Sequence, residues 1–284
     1  KGSVLEHLKR SLAFTHSHMG KHGLPLLGFA DWNDCMNLPL GAESNFNSGL
    51  YAKALLEMMD ICEALGDTKS VEMYKTWYEA IKKAFNDSSW DGKWWVRWFD
   101  KQGNAYGTNK AKYGKIYCNS QSWSVISGIA FGDRAVTAMD SLNKHLNTAN
   151  GVKSSTPGYR GFDPNVGGIS TYPPGAKENG GIFLHTNPWV MIAETILGRG
   201  DKAFQYYNQI NPASKNVKLD ECESEPYCYP QNILGDEHKQ FGMGRNAWLS
   251  GTSSWTYQAA TQFIIGVRAS FKGLIVNPCI PSAW

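Results

Sequence analysis

The sequence predicts an all-α fold, a helical toroid or solenoid in which pairs of helices recur. Three observations predict it. Apolar helices end in the strings ALGD, AFGD and LGRGD, and each is followed by a more polar helix. The unit recurs roughly every 65–70 residues, a period typical of helical repeats. Long loops at about 97–117, 150–185 and 212–250 interrupt the repeat, and such loops inside a compact domain are usually functional.

The individual elements follow from apolar spacing and from helix start and stop residues. The first helix is predicted in VLEHLKRSLAFTHSHM, and WWVRWF is predicted to be a short strand. Three helix pairs are predicted from NFNSGLYAKALLEMMDICEALG with DTKSVEMYKTWYEAIKKAFN, SQSWSVISGIAFG with DRAVTAMDSLNKHL, and TNPWVMIAETILGRG with DKAFQYYNQI. The stretch TSSWTYQAATQFIIGV begins a fourth pair, and GLIVNPCIP is a β-like tail. Asp67, Asp133 and Asp201 are each expected to start an outer helix, and Gly66 to end the inner helix before it.

The composition excludes some classes of partner. The chain has 284 residues, a net charge of +3 and no basic cluster, so nucleic acid is not expected. No apolar run reaches membrane-spanning length. Aromatic residues make up 13% of the chain, with eleven tryptophans and thirteen tyrosines. Flat rings with a polar edge suit an aromatic core, and they also suit the faces of sugars.

Six scattered cysteines without a CxxC pair indicate reduced thiols, so we expect a cytoplasmic protein. The chain begins at Lys1 within a predicted helix and ends at Trp284, and we expect it to be a piece of a longer protein. We expect 1–270 to form part of a helical domain and 271–284 to be a connection toward a further domain.

The first candidate motif is GFADWNDCMN, which places two aspartates around a tryptophan. Asp31 or Asn33 could simply cap backbone amides at a helix start, a structural interpretation that we weigh evenly for Asp31. For Asp34, beside Trp32, we favour chemistry, because a carboxyl among aromatic rings can keep its proton near neutral pH.

Two further motifs combine flexible backbone with polar side chains. In TYPPGAKENGGIFLHTNPW, paired glycines allow close approach to a ligand, and Lys177, Glu178 and His185 precede a helix. His185 could instead be a hydrogen-bonded core residue. In ESEPYCYPQNILGDEH and GRNAWLSGTSSWTYQ, Gln231 and the Ser250–Gly251 pair are neutral donors near a helix start, where an anion could bind. The same SGTSSW string could be only a helix cap.

Other chemistries have little support in the sequence. His16 and His18 form an H-x-H without further ligand spacing, so we predict surface residues and no metal site. A nucleotide-type glycine loop and a GxSxG nucleophile elbow are both missing from the sequence.

Four long stretches resemble the family-94 glycoside phosphorylases. They are GLPLLGFADWNDCMNLP, TYPPGAKENGGIFLHTNPWV, EPYCYPQNILGDEHKQFGMGRNAWLSGTSSWTYQ and the tail KGLIVNPCIPSAW, so the resemblance covers nearly the whole chain. It implies an (α/α)6 barrel, of which this chain is a part. It further implies a β-sandwich, a helical linker and the first barrel helices before Lys1, and a small β domain after Trp284.

The resemblance also implies roles for particular residues. Asp34 matches the general acid, Trp32 lines the glucosyl subsite, and Tyr172 and Lys177 lie near the acceptor sugar, where we expect Glu178 to bind substrate as well. His185, Gln231 and the Ser250–Gly251 pair match the phosphate site. Several members have threonine where this chain has Ser250, and the hydroxyl is kept.

The reaction implied is inverting phosphorolysis of a β-linked glucose disaccharide, namely cellobiose and phosphate to α-glucose 1-phosphate and glucose. Phosphate is a co-substrate, no cofactor or metal is expected, and the full-length enzyme is expected to be a homodimer. Two alternatives stay open. One is an inverting hydrolase that uses Asp34 with Glu178 or Glu225 and water, and the other is a non-catalytic carbohydrate-binding toroid.

Overall fold

Helices joined by long loops and short strands dominate the fold, as predicted. The computed structural model describes residues 1–130 and 132–284. The helices are α1 (Val4–Ser17), α2 (Asn45–Ala64), α3 (Thr68–Ser88), α4 (Cys118–Ile126), α5 (Arg134–Leu146), α6 (Asn187–Ile196), α7 (Gly200–Ile210), α8 (Pro212–Lys215), α9 (Leu219–Cys222) and α10 (Thr252–Gln258), which continues as a π-helix over Ala259–Ile264. Across the described residues, no helix combines the length and the hydropathy that crossing a bilayer requires.

The strands are all short. They are β1 (Glu43–Ser44), β2 (Trp98–Phe99), β3 (Ala105–Tyr106), β4 (Ile116–Tyr117), β5 (Asn147–Thr148), β6 (Gly151–Val152), β7 (Ser155–Thr156), β8 (Ile182–Phe183), β9 (Pro230–Ile233), β10 (Gly244–Ala247), β11 (Val267–Ser270) and β12 (Gly273–Val276). The predicted strand in WWVRWF is thus reduced to β2, which pairs with β1 and β3. Strands β8, β9 and β10 form an antiparallel sheet beside the candidate site.

Three helix hairpins repeat along the chain. In α2–α3, α4–α5 and α6–α7, the first helix of each pair packs against its second helix and also against the first helix of the next pair. The first helices are the inner ones, since the ranges 118–125 in α4 and 187–194 in α6 are buried on every side. The second helices bury a single face, as expected for an outer layer. Closure of these hairpins into an (α/α)6 barrel stays a prediction.

Each inner helix ends at a glycine in the left-handed region. The φ angles are 72° at Gly66, 70° at Gly128 and 73° at Gly198. Glycine adopts this conformation without the steric penalty of a Cβ atom, so it ends a helix cleanly. The prediction was correct at Gly66 and four residues too late in the second pair, because Gly128 and not Gly132 ends α4. Phe131, in the same predicted segment, lies outside the described residues.

The three aspartates differ in what they do. Asp67 is the N-cap of α3, where its carboxylate accepts from the backbone N–H of Ser70 at 3.2 Å, as predicted. Asp133 occupies the N-cap position of α5 but makes no side-chain cap bond. Asp201 is the second residue of α7, and it accepts from Ser282 N at 2.8 Å instead. Its expected role as a helix start was therefore wrong, because the helix already begins at Gly200.

The inner helices bring their N-terminal turns to one end of the molecule. Phe46 on α2, Trp123 on α4, Trp189 on α6 and Trp255 on α10 form a continuous aromatic cluster, with neighbouring ring centroids 5.4–5.8 Å apart. Each of these rings lies within the first two turns of its helix. The loops that precede the inner helices therefore meet at this end, and these loops carry all three candidate motifs.

The C-terminal segment forms a β-hairpin of β11 and β12. The predicted domain boundary between 270 and 271 lies in the turn of this hairpin. The division of the chain into 1–270 and 271–284 stays a prediction.

Candidate active site

Asp31 is a buried anchor of the first motif. Its carboxylate is 0% exposed and lies 2.7 Å from Nη1 of Arg97, which is itself buried. Nη2 of Arg97 donates to the other carboxylate oxygen at 2.9 Å, and Ser44 Oγ donates at 2.7 Å. The backbone N–H of Asn33 donates to Asp31 at 2.9 Å, which is the predicted Asx-type capping. All four contacts fix the loop, so this aspartate is not free to transfer a proton.

Asp34 is exposed and belongs to a small polar group. Its Oδ1 lies 3.6 Å from Sγ of Cys35, and that sulfur lies 3.0 Å from the hydroxyl of Tyr172. The sulfur, one oxygen of Asp34 and one oxygen of Glu178 lie within 4.8 Å of one another. Burial raises the pKa of the Cys35 thiol, and the hydrogen bond that Tyr172 shares with Cys35, together with burial, raises the pKa of Tyr172. Two loops that are distant in sequence thus bring two carboxyl groups together.

Glu178 is presented by a tight turn in the second motif. The turn needs Lys177 at a positive φ of 48° and no side chain at Gly181, where a Cβ atom would lie 2.4 Å from the Lys177 carbonyl oxygen. Glu178 is 7% exposed, and its Oε2 has no hydrogen-bond partner among the described residues. Burial raises the pKa of Glu178, and the nearby Asp34 adds to this shift. The Lys177 ammonium lies 5.0 Å above the Tyr172 ring.

Asp34, Cys35 and Glu178 are the one group of three potential metal ligands found among the described residues. A thiol with a raised pKa is a poor ligand until it loses its proton, since metal ions bind the thiolate. The group fits a pair of carboxyl groups for proton transfer better than a metal centre. His16 on α1 and His18, the C-cap of that helix, are both exposed, as predicted, and they stack on Trp77 and Phe14 respectively.

Trp32 connects the first motif to the second. Its ring lies 5.5 Å from the His185 ring, 5.3 Å from Trp189 and 5.2 Å from Phe183, each in an edge-on arrangement. Trp32 keeps part of its surface exposed at the end of the aromatic cluster. A partly exposed tryptophan ring suits contact with a sugar face.

His185 is a partly buried imidazole with an unused nitrogen. Its Nε2 has no partner within the described part of the chain, and burial lowers the pKa of His185. A Cβ atom added at Gly251 would lie 2.9 Å from Cε1 of His185 and 3.2 Å from Nε2. Gly251 therefore packs directly against the ring, where a side chain would clash. Ser250 Oγ accepts from the backbone N–H of Thr252 at 3.1 Å and bonds the Thr252 hydroxyl. The N-cap of α10 is Gly251, and the helix start has no side-chain cap bond.

Gln231 lies on β9, and its Oε1 accepts from Asn246 at 3.0 Å. Within the described residues, no hydrogen bond joins it to His185 or Ser250. The structure thus brings Trp32, His185 and Gly251 together, and separately Asp34, Tyr172, Lys177 and Glu178. The two groups share the Trp32–Asp34 loop and lie at the same end of the inner helices.

Three residues of the site were missed by sequence reasoning. The predicted strand includes Arg97 without a role for it, although an arginine inside the apolar run WWVRWF is a signal of a buried ion pair. Cys35 was counted only as one of six thiols, and all six are unpaired. Asn232, next to Gln231, is 1% exposed with both amide atoms unpartnered in the described structure, a state that no local pattern indicates.

The chain is similar to known carbohydrate-active proteins. The family described as "Glycosyl hydrolase 94 superfamily, catalytic domain" matches residues 1–266. N,N'-diacetylchitobiose phosphorylase of Vibrio proteolyticus is 38% identical over 286 residues, which is 100% of this chain and 36% of that protein. Solabiose phosphorylase of Paenibacillus borealis is 30% identical, over 100% of this chain and 37% of that protein. The chain thus spans about a third of the length of these curated relatives.

A solved structure titled "Sialidase" superposes with a TM-score of 0.66 at 13% identity, over 99% of this chain and 26% of that one. At such identity the likeness supports a shared fold and carries nothing about function.

Proposed function

This chain belongs to the glycosyl hydrolase 94 superfamily, and we propose that the full-length protein is an inverting phosphorylase of a β-linked disaccharide. The reference reaction is cellobiose and phosphate to α-glucose 1-phosphate and glucose. One arrangement carries the proposal. Asp34 is an exposed carboxyl, and it shares a loop with Trp32, whose ring contacts the His185 ring. The Nε2 atom of His185 has no hydrogen-bond partner among the described residues. A phosphorylase needs one such acid and one anion site.

Asp34 is the proposed general acid. Asp31 is occupied by Arg97, whereas Asp34 is accessible and has no cationic partner among the described residues. Glu178, Tyr172 and Lys177 flank Asp34 on the side proposed for the leaving sugar. Glu178, whose pKa is raised by burial, can form a hydrogen bond with a sugar hydroxyl.

His185, Gly251, Ser250 and Gln231 are the proposed phosphate site. A neutral imidazole with a free nitrogen can take up a proton when a dianion binds, and it then makes a charge-assisted hydrogen bond. Gly251 packs against the imidazole ring, so its backbone lies beside the proposed anion. The backbone amides at the start of α10 add partial positive charge in the same region.

The bonds change as follows in the proposed reaction. Asp34 protonates the glycosidic oxygen while that oxygen leaves C1, and a phosphate oxygen forms the new bond to C1 from the opposite face. The leaving sugar departs with the proton, and the β-linkage becomes an α-phosphate. Asp34 then regains a proton from solvent. A positioned acid contributes about 10²–10⁴-fold, and positioning and electrostatics supply the rest.

The spacing of the carboxyl groups disfavours the hydrolase alternative. An inverting hydrolase places its two carboxyl groups about 6.5–9.5 Å apart to hold a water between the base and C1. Oxygens of Asp34 and Glu178 lie within 4.8 Å of each other. Glu225 is exposed and accepts a hydrogen bond from Trp248 Nε1. Phosphate, which needs no activating base, removes the need for a distant second carboxylate.

We propose phosphate as the co-substrate without a further cofactor, and a cytoplasmic homodimer as the working form. A second candidate substrate is N,N'-diacetylchitobiose, because a phosphorylase of that name is 38% identical to this chain. The assignment of glucose rests on the four sequence stretches that resemble the family, and the two candidate disaccharides differ at the sugar 2-substituent.

The test is to incubate the full-length protein with cellobiose or N,N'-diacetylchitobiose, with and without phosphate. We expect α-sugar 1-phosphate and free acceptor in equal amounts only when phosphate is present. Asp34→Asn is expected to abolish this turnover. Sugar release that is independent of phosphate would support the hydrolase, and binding without turnover would support a carbohydrate-binding toroid.

A further inference from the structure

A cleft of about 350 Å³ opens beside the acceptor side of the candidate site. It lies between the second motif and the β9–β10 hairpin, and its walls include Tyr172, Pro173, Lys177, Asn232, His238 and Arg245. Tyr172 and Lys177 are the same side chains that flank Asp34 and Glu178. The cleft therefore continues outward from the position proposed for the leaving sugar.

Asn232 is an unsatisfied polar group in this cleft. It is 1% exposed, and neither Nδ2 nor Oδ1 has a hydrogen-bond partner among the described residues. A buried amide without partners destabilises a fold unless something else supplies them. An amide offers one acceptor and two donors, a set that matches neighbouring hydroxyl groups of a sugar.

The strand register points Asn232 toward the active site. Asn232 is the direct partner of Phe183 on β8 and of Arg245 on β10. Side chains directly opposite in antiparallel strands lie on the same face of the sheet. Phe183 on that face contacts the Trp32 ring at 5.2 Å. The row formed by Phe183, Asn232 and Arg245 therefore runs from the proposed glucosyl subsite out into the cleft.

The charged side chains that line the cleft are positive. Lys177 and Arg245 both line it, His238 adds a third nitrogen base, and no aspartate or glutamate is among its described lining residues. Neither Lys177 nor Arg245 forms an ion pair with a described carboxylate. Lys177 is held at a positive φ, which costs backbone energy and is typical of residues held for a functional reason.

We propose that this cleft binds an acceptor sugar that carries a carboxylate. Asn232 pairs with its hydroxyl groups, and Lys177 and Arg245 pair with its carboxylate. The inference rests on the proposed phosphorylase function and refines it, since the preferred disaccharide would then end in an acidic sugar. In the synthetic direction, an acceptor hydroxyl attacks C1 of the sugar 1-phosphate, phosphate leaves, and the hydroxyl proton passes to Asp34.

Equilibrium binding tests the site without turnover. Calorimetry on the full-length protein would compare D-glucuronate with D-glucose, the same ring without the carboxylate. We expect glucuronate to bind about five-fold tighter or more at low salt, and the difference to shrink in 0.5 M NaCl because exposed charges are screened. Equal affinity for the two sugars would overturn the proposal.

Two matched variants separate specific from general charge. Arg245→Gln is expected to remove most of the preference for glucuronate, whereas Lys239→Gln removes a charge from an exposed neighbouring residue outside the cleft and is expected to keep it. If both variants lower the preference equally, the effect is long-range charge and the cleft is not the site.

Asn232→Leu distinguishes binding from structure. Leucine is similar in volume and needs no partner, so the melting temperature is expected to hold or rise while binding of both sugars weakens. A lower melting temperature with unchanged binding would make Asn232 a structural residue and contradict the proposal.

Turnover separates this inference from the proposed function. If glucuronate binds as expected but no acceptor releases phosphate from α-glucose 1-phosphate, the phosphorylase fails and the site assignment stands. If glucose serves as acceptor while glucuronate neither binds nor reacts, the inference fails and the phosphorylase stands.

Discussion

Replacing Asp31 or Asp34, which lie three residues apart, by asparagine is expected to have different effects on stability and on turnover. Asp31→Asn should destabilise the fold. Asp34→Asn should leave the fold intact and lower kcat by about 10²-fold or more. The contrast follows from burial, because Asp31 is 0% exposed against Arg97 while Asp34 is exposed.

The magnitude for Asp31→Asn follows from its contacts. The carboxylate accepts from both terminal nitrogens of Arg97, from Ser44 Oγ and from the Asn33 N–H. Asparagine keeps one oxygen and turns an NH2 group toward the guanidinium. Breaking a buried pair in this way costs about 3–5 kcal/mol, because the remaining charge stays uncompensated. For a domain of this size the melting temperature should fall by on the order of 10 °C.

The assay is calorimetric melting at pH 7 together with initial rates per folded enzyme. The double variant Asp31→Asn/Arg97→Met should recover part of the lost stability, because it removes the unpaired charge. The reasoning is refuted if Asp31→Asn melts like wild type, or if it abolishes turnover at wild-type stability while Asp34→Asn stays active.

Four further predictions concern the anion site and Glu178. His185→Ala should raise the phosphate KM about ten-fold or more with little change in the sugar KM, because a charge-assisted bond worth about 1.5–3 kcal/mol is lost; a raised sugar KM alone would move His185 to the sugar site. Burial lowers the pKa of His185, so we expect phosphate binding to bring a proton and phosphate affinity to fall as pH rises above that pKa. Calorimetry in two buffers of different ionisation enthalpy should detect proton uptake in wild type and not in His185→Ala. Gly251→Ala should raise the phosphate KM, since the new Cβ would lie 2.9 Å from the His185 ring; an unchanged KM would place phosphate elsewhere. Burial raises the pKa of Glu178, so burying its carboxylate lowers the stability of the fold at pH 7. This cost is absent below the pKa that Glu178 has in the unfolded chain, because the group is then protonated in both states. Glu178→Gln should therefore raise the melting temperature by an amount equivalent to about 1 kcal/mol at pH 7 and by little at pH 4, while raising the sugar KM; destabilisation at pH 7 would contradict this.

Local patterns predicted the local structure well. The helix hairpins, the glycine stop at Gly66 and the cap at Asp67 depend on neighbours within a few residues, and all three were confirmed. The sequence predicts the end of α4 at Gly132 and not at Gly128, because the apolar residues continue beyond Gly128 and apolar spacing alone extends the helix to the end of that run. Asp201 was misplaced because Gly200 can itself start a helix, and a distant partner, Ser282, uses the carboxylate instead.

The site was predictable only in part, because its contacts are long-range. The motifs identified Trp32, Asp34 and His185, and the structure brings their loops to one end of the inner helices. Arg97 is 66 residues from Asp31, and no spacing rule connects them. Asn232 became visible only through the register of β9 with its neighbours and the absence of partners for its amide in the described structure.

The central claim is that phosphate is the nucleophile opposite Asp34. The most direct measurement is ³¹P and ¹H NMR of the full-length protein with a β-linked disaccharide and inorganic phosphate. The account predicts a sugar 1-phosphate that is α from its first appearance, formed in equal amount with the free acceptor, and no sugar release without phosphate. Sugar release at the same rate without phosphate, or a β-phosphate as first product, would contradict it.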